Sequence, residues 1–358
     1  MRIGLVARAD RTGLAVQTWC FWRNMHPHRT LIVDLSHCSG QQPEVGRYGG
    51  LSDQVSLYRD RLYPTKYHHP DDTIDAFLDD VDVVFTCETP YNYWLFDRAR
   101  EKGVRTVLQY NFEFLEYLVK SDLPRPDLLA APSLWHFDDV TTGVGGCRHA
   151  HLPVPVDLGT LRAHLPARRR TELRRILHTV GHPTGEDRNG TRPLIDAMHT
   201  IHARTGVELV IRSQRHTNPP MHGPGITVDH RSMEHFWETF DVAADLYVMP
   251  RRFGGLCLPV QEALGLGMPV LMSDESPQNR WLPANTLIPA TRNRQVIHTR
   301  APLHPVDCSP KAIADAVIRL HERPDELAAL SDWALTWAAQ QSWDVWGPIY
   351  HDVFASLG

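Results

Sequence analysis

The residues best suited to chemistry fall in one stretch, Met249 to Asp274, which reads MPRRFGGLCLPVQEALGLGMPVLMSD. An apolar run ends at Pro250 and a glycine-containing turn covers Arg251 to Cys257. Pro259 to Leu266 reads as a helix carrying one acid, Glu262. Gly267 and Pro269 stop that helix, and Val270 to Met272 begin another strand. Backbone N–H groups at such a helix start have no partner within the helix and favour an anion. A carboxylate one turn into the helix can accept hydrogen bonds from sugar hydroxyls. The same pattern also fits an ordinary turn of a parallel α/β domain, where glycine only permits tight backbone.

The elements that must position this stretch alternate along the whole chain. In the first half, strands are expected at Ile3–Ala7, Leu31–Leu35, Val81–Cys87, Arg105–Tyr110 and Leu128–Ala131, with helices over Gly13–Met25, Asp71–Leu78 and Tyr93–Lys102. In the second, Ile176–Val180, Val207–Ile211, Ile226–Val228 and Ala244–Met249 read as strands. Helices are expected over Pro193–Arg204 and around Met233–Phe240. Strands alternating with helices predict parallel sheets whose ligands lie beyond the carboxyl ends of the strands. That singles out Arg8–Gly13 and the residues Asn111 and Glu113, which can face a cleft or merely cap a following helix. It also singles out the loop 181–191, with Arg188 placed to meet a negative charge, and Arg212 at a strand end. Two loop-then-helix junctions of one sheet, 181–191 and 251–257, converge on one pocket in this reading.

Three further segments shape the organisation. His151 to Asp157 holds two prolines in an extended run and reads as a crossing between domains. Arg162 to Arg175 is the one dense basic block, read as a solvated helix face with a polyanionic acceptor as the sharper alternative. Ser309 to Arg323 is an amphipathic helix, Asp325–Gln341 another, and the aromatics of Ser342 to Leu357 read as packing. The chain has 358 residues, a net charge of −5 and 42% hydrophobic residues, which fits globular domains and disfavours nucleic acid as a partner without closing that option. No apolar run is long enough to span a bilayer. Six scattered cysteines without a C-x-x-C pair fit a reducing cytoplasm.

With these residues in place, Met249–Asp274 resembles the donor-binding signature of the retaining glycosyltransferases of the GT-B fold, the glycosyl transferases group 1 type. That signature runs roughly Pro-Ser-x-x-Glu-Gly-Phe-Gly-Leu-Pro-x-x-Glu-Ala, then Gly-x-Pro-Val. Here it stands as Pro250 to Ala263, then Gly267 to Val270. The resemblance implies an α/β GT-B architecture: two Rossmann-like domains facing a central cleft, with a C-terminal helix crossing back to the N-terminal domain. Residues 1–155 would form the acceptor domain, 156–341 the donor domain and 342–358 the returning helix.

By the same resemblance, Gly13 lies near the donor phosphates. Gly181, His182 and Asn189 stand where the family has Gly-Arg and then Lys-Gly. Gly254 replaces the first signature glutamate, which contacts the donor sugar. Gly255, Leu256, Cys257 and Leu258 supply the turn, and Glu262 keeps the acid used on the ribose hydroxyls. Arg188 and Arg212 become the candidates for stabilising charge on the leaving diphosphate. Asn111 and Glu113 are acceptor candidates. The implied activity is metal-independent glycosyl transfer with retention from a nucleotide sugar, a UDP-sugar being favoured, with no cofactor beyond that cosubstrate and no assigned metal ligands. Alternatives are a nucleotide-sugar epimerase or phosphorylase of the same architecture, or a non-catalytic nucleotide-sugar binder. The acceptor stays unidentified and includes a modified nucleic-acid base.

Overall fold

Short aliphatic runs buried at every position form the strands that carry the fold. Ile3–Ala7 (β1), Leu128–Ala131, Leu246–Met249 and Val270–Ser273 have no exposed residue, as expected for parallel strands covered on both faces. The computed structural model describes every residue except 41, 49–51, 60–71, 89, 121, 182–186, 215–220 and 299–301. It divides into two compact units, one of Met1–Val154 with Asp344–Gly358 and one of Pro155–His298 with Pro302–Trp343.

The first unit holds β1, Arg29–Val33 (β2), Val55–Tyr58 (β3), Val83–Glu88 (β4), Arg105–Tyr110 (β5), Leu128–Ala131 (β6) and Arg148–His151 (β7). They form one parallel sheet in the order β3-β2-β1-β4-β5-β6-β7. Its helices are Gly13–Met25 (α1), Ser36–Ser39 (α2), Asp72–Leu78 (α3), Trp94–Glu101 (α4) and Phe137–Gly143 (α5). Helix α1 starts where Thr12 accepts a hydrogen bond from the Ala15 N–H at 3.3 Å.

The second unit begins with Leu158–His164 (α6) and carries Arg175–Gly181 (β8), Thr191–Thr205 (α7), Glu208–Ser213 (β9), Ile226–His230 (β10), Leu246–Met249 (β11), Leu258–Gly265 (α8), Val270–Ser273 (β12) and Leu287–Ile288 (β13). Its sheet is also parallel, in the order β10-β9-β8-β11-β12-β13. Alternate strand residues separate two cores. Leu246, Val248 and Leu271 pack with α7 and with Pro310–Glu322 (α9). Tyr247, Met249 and Met272 pack with α8 and with Pro324–Gln340 (α10).

The last helix, Trp343–Ala355 (α11), sends its aromatic side into the first unit. Tyr350 and Phe354 lie 6.0 Å and 5.7 Å from Phe85, centroid to centroid. The Tyr350 hydroxyl donates to the Pro153 carbonyl at 2.9 Å and accepts from Gln109 Nε2.

Two expectations are corrected. The Met233–Phe240 helix is only a 3₁₀ turn over Phe236–Phe240 with no side-chain cap, and the Trp237 ring is stacked between His164 and His235 at 3.9 and 4.4 Å. The arginine block is not a solvated helix face. Helix α6 stops at His164, ahead of Pro166, and Arg170 turns inward with 6% exposure. Its guanidinium donates to the carbonyls of Leu266 (2.9 Å) and Arg168 (2.5 Å), and burial lowers its pKa to about 10. Arg169 pairs with Asp332, Arg168 with Asp245 and Arg175 with Glu208. Those charges are balanced within the unit.

Candidate functional site

In the second unit the strand order reverses between β8 and β11, and in an open parallel sheet a ligand crevice forms at that switch. Residues 187–190, ahead of α7, and the turn after β11 flank it. They are packed backbone to backbone. Gly190, with φ +68°, lies so close to Pro250 that a Cβ would come 2.1 Å from the Pro250 carbonyl oxygen. The Arg252 N–H donates to the Arg188 carbonyl at 2.9 Å.

The turn presents a row of donors. Among the described residues, no acceptor takes the backbone N–H groups of residues 254–258, and no side chain caps α8 at Cys257. Pro259 then opens the helix, where its missing N–H costs nothing. Gly254, Gly255, Leu256, Cys257 and Leu258 thus line one anion-favouring edge.

Two arginines meet at Gly254. Its φ is +121°, and a Cβ built there would sit 2.4 Å from a terminal nitrogen of Arg188 and 2.4 Å from one of Arg251. A side chain at 254 would have to displace both guanidiniums, and at this φ it would strain the backbone. Arg251 was not singled out from the sequence, because its role depends on the guanidinium folding back over its own turn. Arg251 Nε donates to the Phe253 carbonyl at 2.9 Å and Nη1 to the Leu256 carbonyl at 2.6 Å. Arg188 Nε reaches the same Phe253 carbonyl at 3.4 Å, with its guanidinium 5.4 Å from the Phe253 ring centroid. An Arg-Arg pair one residue ahead of Gly-Gly, with Phe253 between, was the available signal.

Glu262 sits one turn into α8 with 8% exposure. Among the described residues no protein donor reaches its carboxylate, and burial pushes its pKa up to about 8. A buried acid without a donor is a group awaiting one.

The other donor-side candidates have different surroundings. Gly181 ends β8, and His182 lies outside the described residues. Asn189 turns inward and donates to the carbonyls of Thr179 (3.0 Å) and Val180 (3.3 Å). Asp187 caps α7, accepting from the N–H groups of Thr191 (2.9 Å) and Arg192 (2.8 Å), so that helix start already holds a carboxylate. His178, fully buried, is held by the Val248 carbonyl at 2.8 Å and the Thr191 hydroxyl at 2.9 Å, and burial lowers its pKa. Arg212 is 4% exposed at the end of β9, and its guanidinium is held by Asp229 and Asp241.

The first unit has its own switch point, between β1 and β4. Arg8 pairs there with buried Asp10, which also accepts from the Thr12 N–H at 3.1 Å. Glu88 and Tyr91 hold left-handed φ values of +67° and +62°, strain of the kind that clusters at functional sites. Asn111 donates to Glu88 at 3.3 Å. Glu113 is buried beside Phe112, whose ring stacks on His136 at 4.0 Å. Gly13 opens α1 on the surface, with nothing within 4 Å of an added Cβ. Asp80-Val81-Asp82 has a spacing used for divalent metals. Its carboxylates instead bind Arg29 and Arg2, each at 2.9 Å, at the amino end of β4.

No family model matches the sequence, and no curated protein is significantly similar to it. Solved structures are similar over the full length. Sucrose-phosphate synthase from Thermosynechococcus elongatus matches with a TM-score of 0.62 at 15% identity, covering 99% of this chain and 100% of that one. HepE from Anabaena, solved in complex with UDP, matches with a TM-score of 0.66 at 10% identity, covering 99% and 100%. A glycosyltransferase from Rickettsia africae matches with a TM-score of 0.67 at 9% identity, covering 99% and 98%. Two successive Rossmann-type sheets and these full-length likenesses define the GT-B fold. Among the described residues no helix is long and apolar enough to cross a membrane.

Proposed function

We propose that this protein is a glycosyltransferase that moves a sugar, with retention and without a metal, from a nucleoside diphosphate sugar to an acceptor held by the first unit. A UDP-sugar is the favoured donor. One observation carries the reading: among the described residues, five successive backbone N–H groups meet no acceptor, and the buried Glu262 carboxylate that follows them meets no donor, with two arginines alongside. A nucleoside diphosphate answers both needs. Its phosphates accept from the turn, and its ribose hydroxyls donate to Glu262.

In this mechanism the bond between the anomeric carbon and the diphosphate oxygen breaks as the acceptor oxygen bonds that carbon. The acceptor's proton passes to the departing phosphate. Negative charge grows on the diphosphate, where fixed N–H dipoles and the Arg188 guanidinium stabilise it. Arg212, held between two carboxylates, serves by fixing the end of β9. Asn111 and Glu113, with Arg8 and Glu88, are proposed to take the acceptor, and Gly13 leaves open space at the start of α1.

The test follows nucleotide release from UDP-, GDP- and ADP-sugars, with chelator present and the anomeric configuration of the product read by NMR. Slow release of the diphosphate without acceptor is expected. Tight binding without turnover under any condition rejects the enzyme and leaves the second reading, a nucleotide-sugar binder. That reading draws on Asn189, whose amide faces inward, and on Asp187, which caps the α7 start.

A further inference from the structure

Among the described residues, Arg292 and Arg294 are the only lysines or arginines with no hydrogen bond, ion pair or ring contact inside the protein. Both are exposed. They sit in a stretch, Ser276 to Val306, that contains no aspartate or glutamate. Asp307, the first acid after it, is already taken by Arg252 Nε at 2.6 Å and by Asn293 Nδ2.

Their setting is a narrow two-stranded arm between β13 and α9. Ala290–Arg292 pairs antiparallel with Val306–Cys308, and further along the same hairpin Ile297–His298 pairs with Pro302–Leu303. The Val306 N–H donates to the Arg252 carbonyl at 3.0 Å, which ties the base of the arm to the turn after β11. Asn293 is held in place: its N–H donates to the Pro305 carbonyl at 2.7 Å, and its side-chain oxygen accepts from the Gln295 N–H at 2.9 Å. The two arginines flank it, two residues and about 6.6 Å apart along an extended chain.

The chemistry of the arm selects its partner. Guanidinium forks suit phosphate oxygens. Leu303, Val306 and Cys308 are buried, and Val296, at 36%, is the arm's only exposed large hydrophobic residue among those described. A lipid surface asks for a broader apolar face. Arginine, threonine and glutamine side chains are the groups that hold a nucleic-acid backbone, and Thr291 and Gln295 are exposed beside the two arginines. A two-stranded β-ribbon also fits the major groove of B-DNA. We propose that this arm binds duplex DNA, with Arg292 and Arg294 on its phosphates. The net charge of −5 does not oppose so local a contact, because exposed charges beyond about 8 Å are screened at physiological salt.

Fluorescence anisotropy of a short labelled DNA duplex, titrated with the whole protein, tests this. Two phosphate contacts give a log–log salt slope of about −1.8, so affinity should fall roughly tenfold between 50 and 200 mM salt. The double variant Arg292→Gln/Arg294→Gln should bind at least tenfold more weakly at the lower salt and lose most of the salt dependence. Arg292→Lys/Arg294→Lys keeps both charges and should stay within threefold of wild type. Arg169→Gln removes an arginine that Asp332 already neutralises, and should change affinity less than twofold. No binding by wild type at 50 mM salt overturns the proposal. So does a double glutamine variant that binds like wild type, or an Arg169→Gln variant that weakens binding as much. Tighter binding to phosphatidylglycerol vesicles than to the duplex also overturns it, and assigns the arm to a lipid surface.

Discussion

Substituting Glu262 with glutamine isolates the energetic signature of the site. Its carboxyl has a pKa of about 8 against an ordinary 4.5, purely because burial disfavours the charge. The difference corresponds to about 5 kcal/mol, at 1.36 kcal/mol per unit. The sign follows from linkage: the folded state holds this proton more tightly than the unfolded chain. The group therefore does no harm below pH 4.5, and its cost grows as the pH rises to about 8 and then levels off. Glu262→Gln has nothing to ionise, so its stability relative to wild type should rise by several kcal/mol between pH 4.5 and 8.5. Denaturant unfolding at half-unit pH steps measures this. Nucleotide binding should act in the opposite sense. Ribose hydroxyls donate to the ionised carboxylate, so wild-type affinity for UDP should rise with pH up to about 8 and binding should release protons. The glutamine variant should bind roughly 5- to 30-fold more weakly at pH 8.5, the difference between charged and neutral hydrogen bonds, with little pH dependence. Calorimetry in two buffers of different ionisation enthalpy counts the protons. Parallel stability profiles for the two proteins, or UDP affinity flat from pH 6 to 9 in wild type, would refute the buried, ligand-seeking carboxylate.

Arg170→Ala should destabilise the second unit by about 2–4 kcal/mol, since it takes one donor from the Leu266 carbonyl, which keeps the Arg168 N–H, and the guanidinium donor from the buried Arg168 carbonyl; thermal unfolding measures it, and a change under 0.5 kcal/mol would return the residue to the surface. Burial keeps His178 neutral, so its contribution is complete above pH 6.5 and lost as the pH falls below that. His178→Gln should therefore flatten the acid limb of the stability profile, at the cost of the hydrogen bonds to Val248 and Thr191 at neutral pH.

Much of the fold is legible because parallel strands are buried on both faces and read as continuous apolar runs. What escaped reading is at the edges. Arg148–His151 closes one side of its sheet with a polar sequence and half-exposed side chains, and Val55–Tyr58 at the other side is barely buried. Neither shows the apolar signature of a central strand. The site divides in the same physical way. The 254–258 amides belong to the backbone, and glycine spacing followed by Pro259 announces them. Glu262 is visible for the same reason. Arg251 and Asn189 are side chains that fold back, one over its turn and one into the strand end, and direction of that kind is not written in spacing. The triple arginine misled because composition reports charge, whereas Arg170 is defined by which carbonyls surround it.

The close approach of Gly190 to Pro250 bears on how this protein can be re-engineered. A loop graft that imports residues 250–257 from a relative would bring a new backbone path against an unchanged residue 190, and a graft of 187–190 would meet the same obstacle from the other side. The two segments form a single exchangeable cassette. Under the proposed function, altered donor preference is to be sought by replacing both together, or by changing side chains while the shared backbone stays as it is.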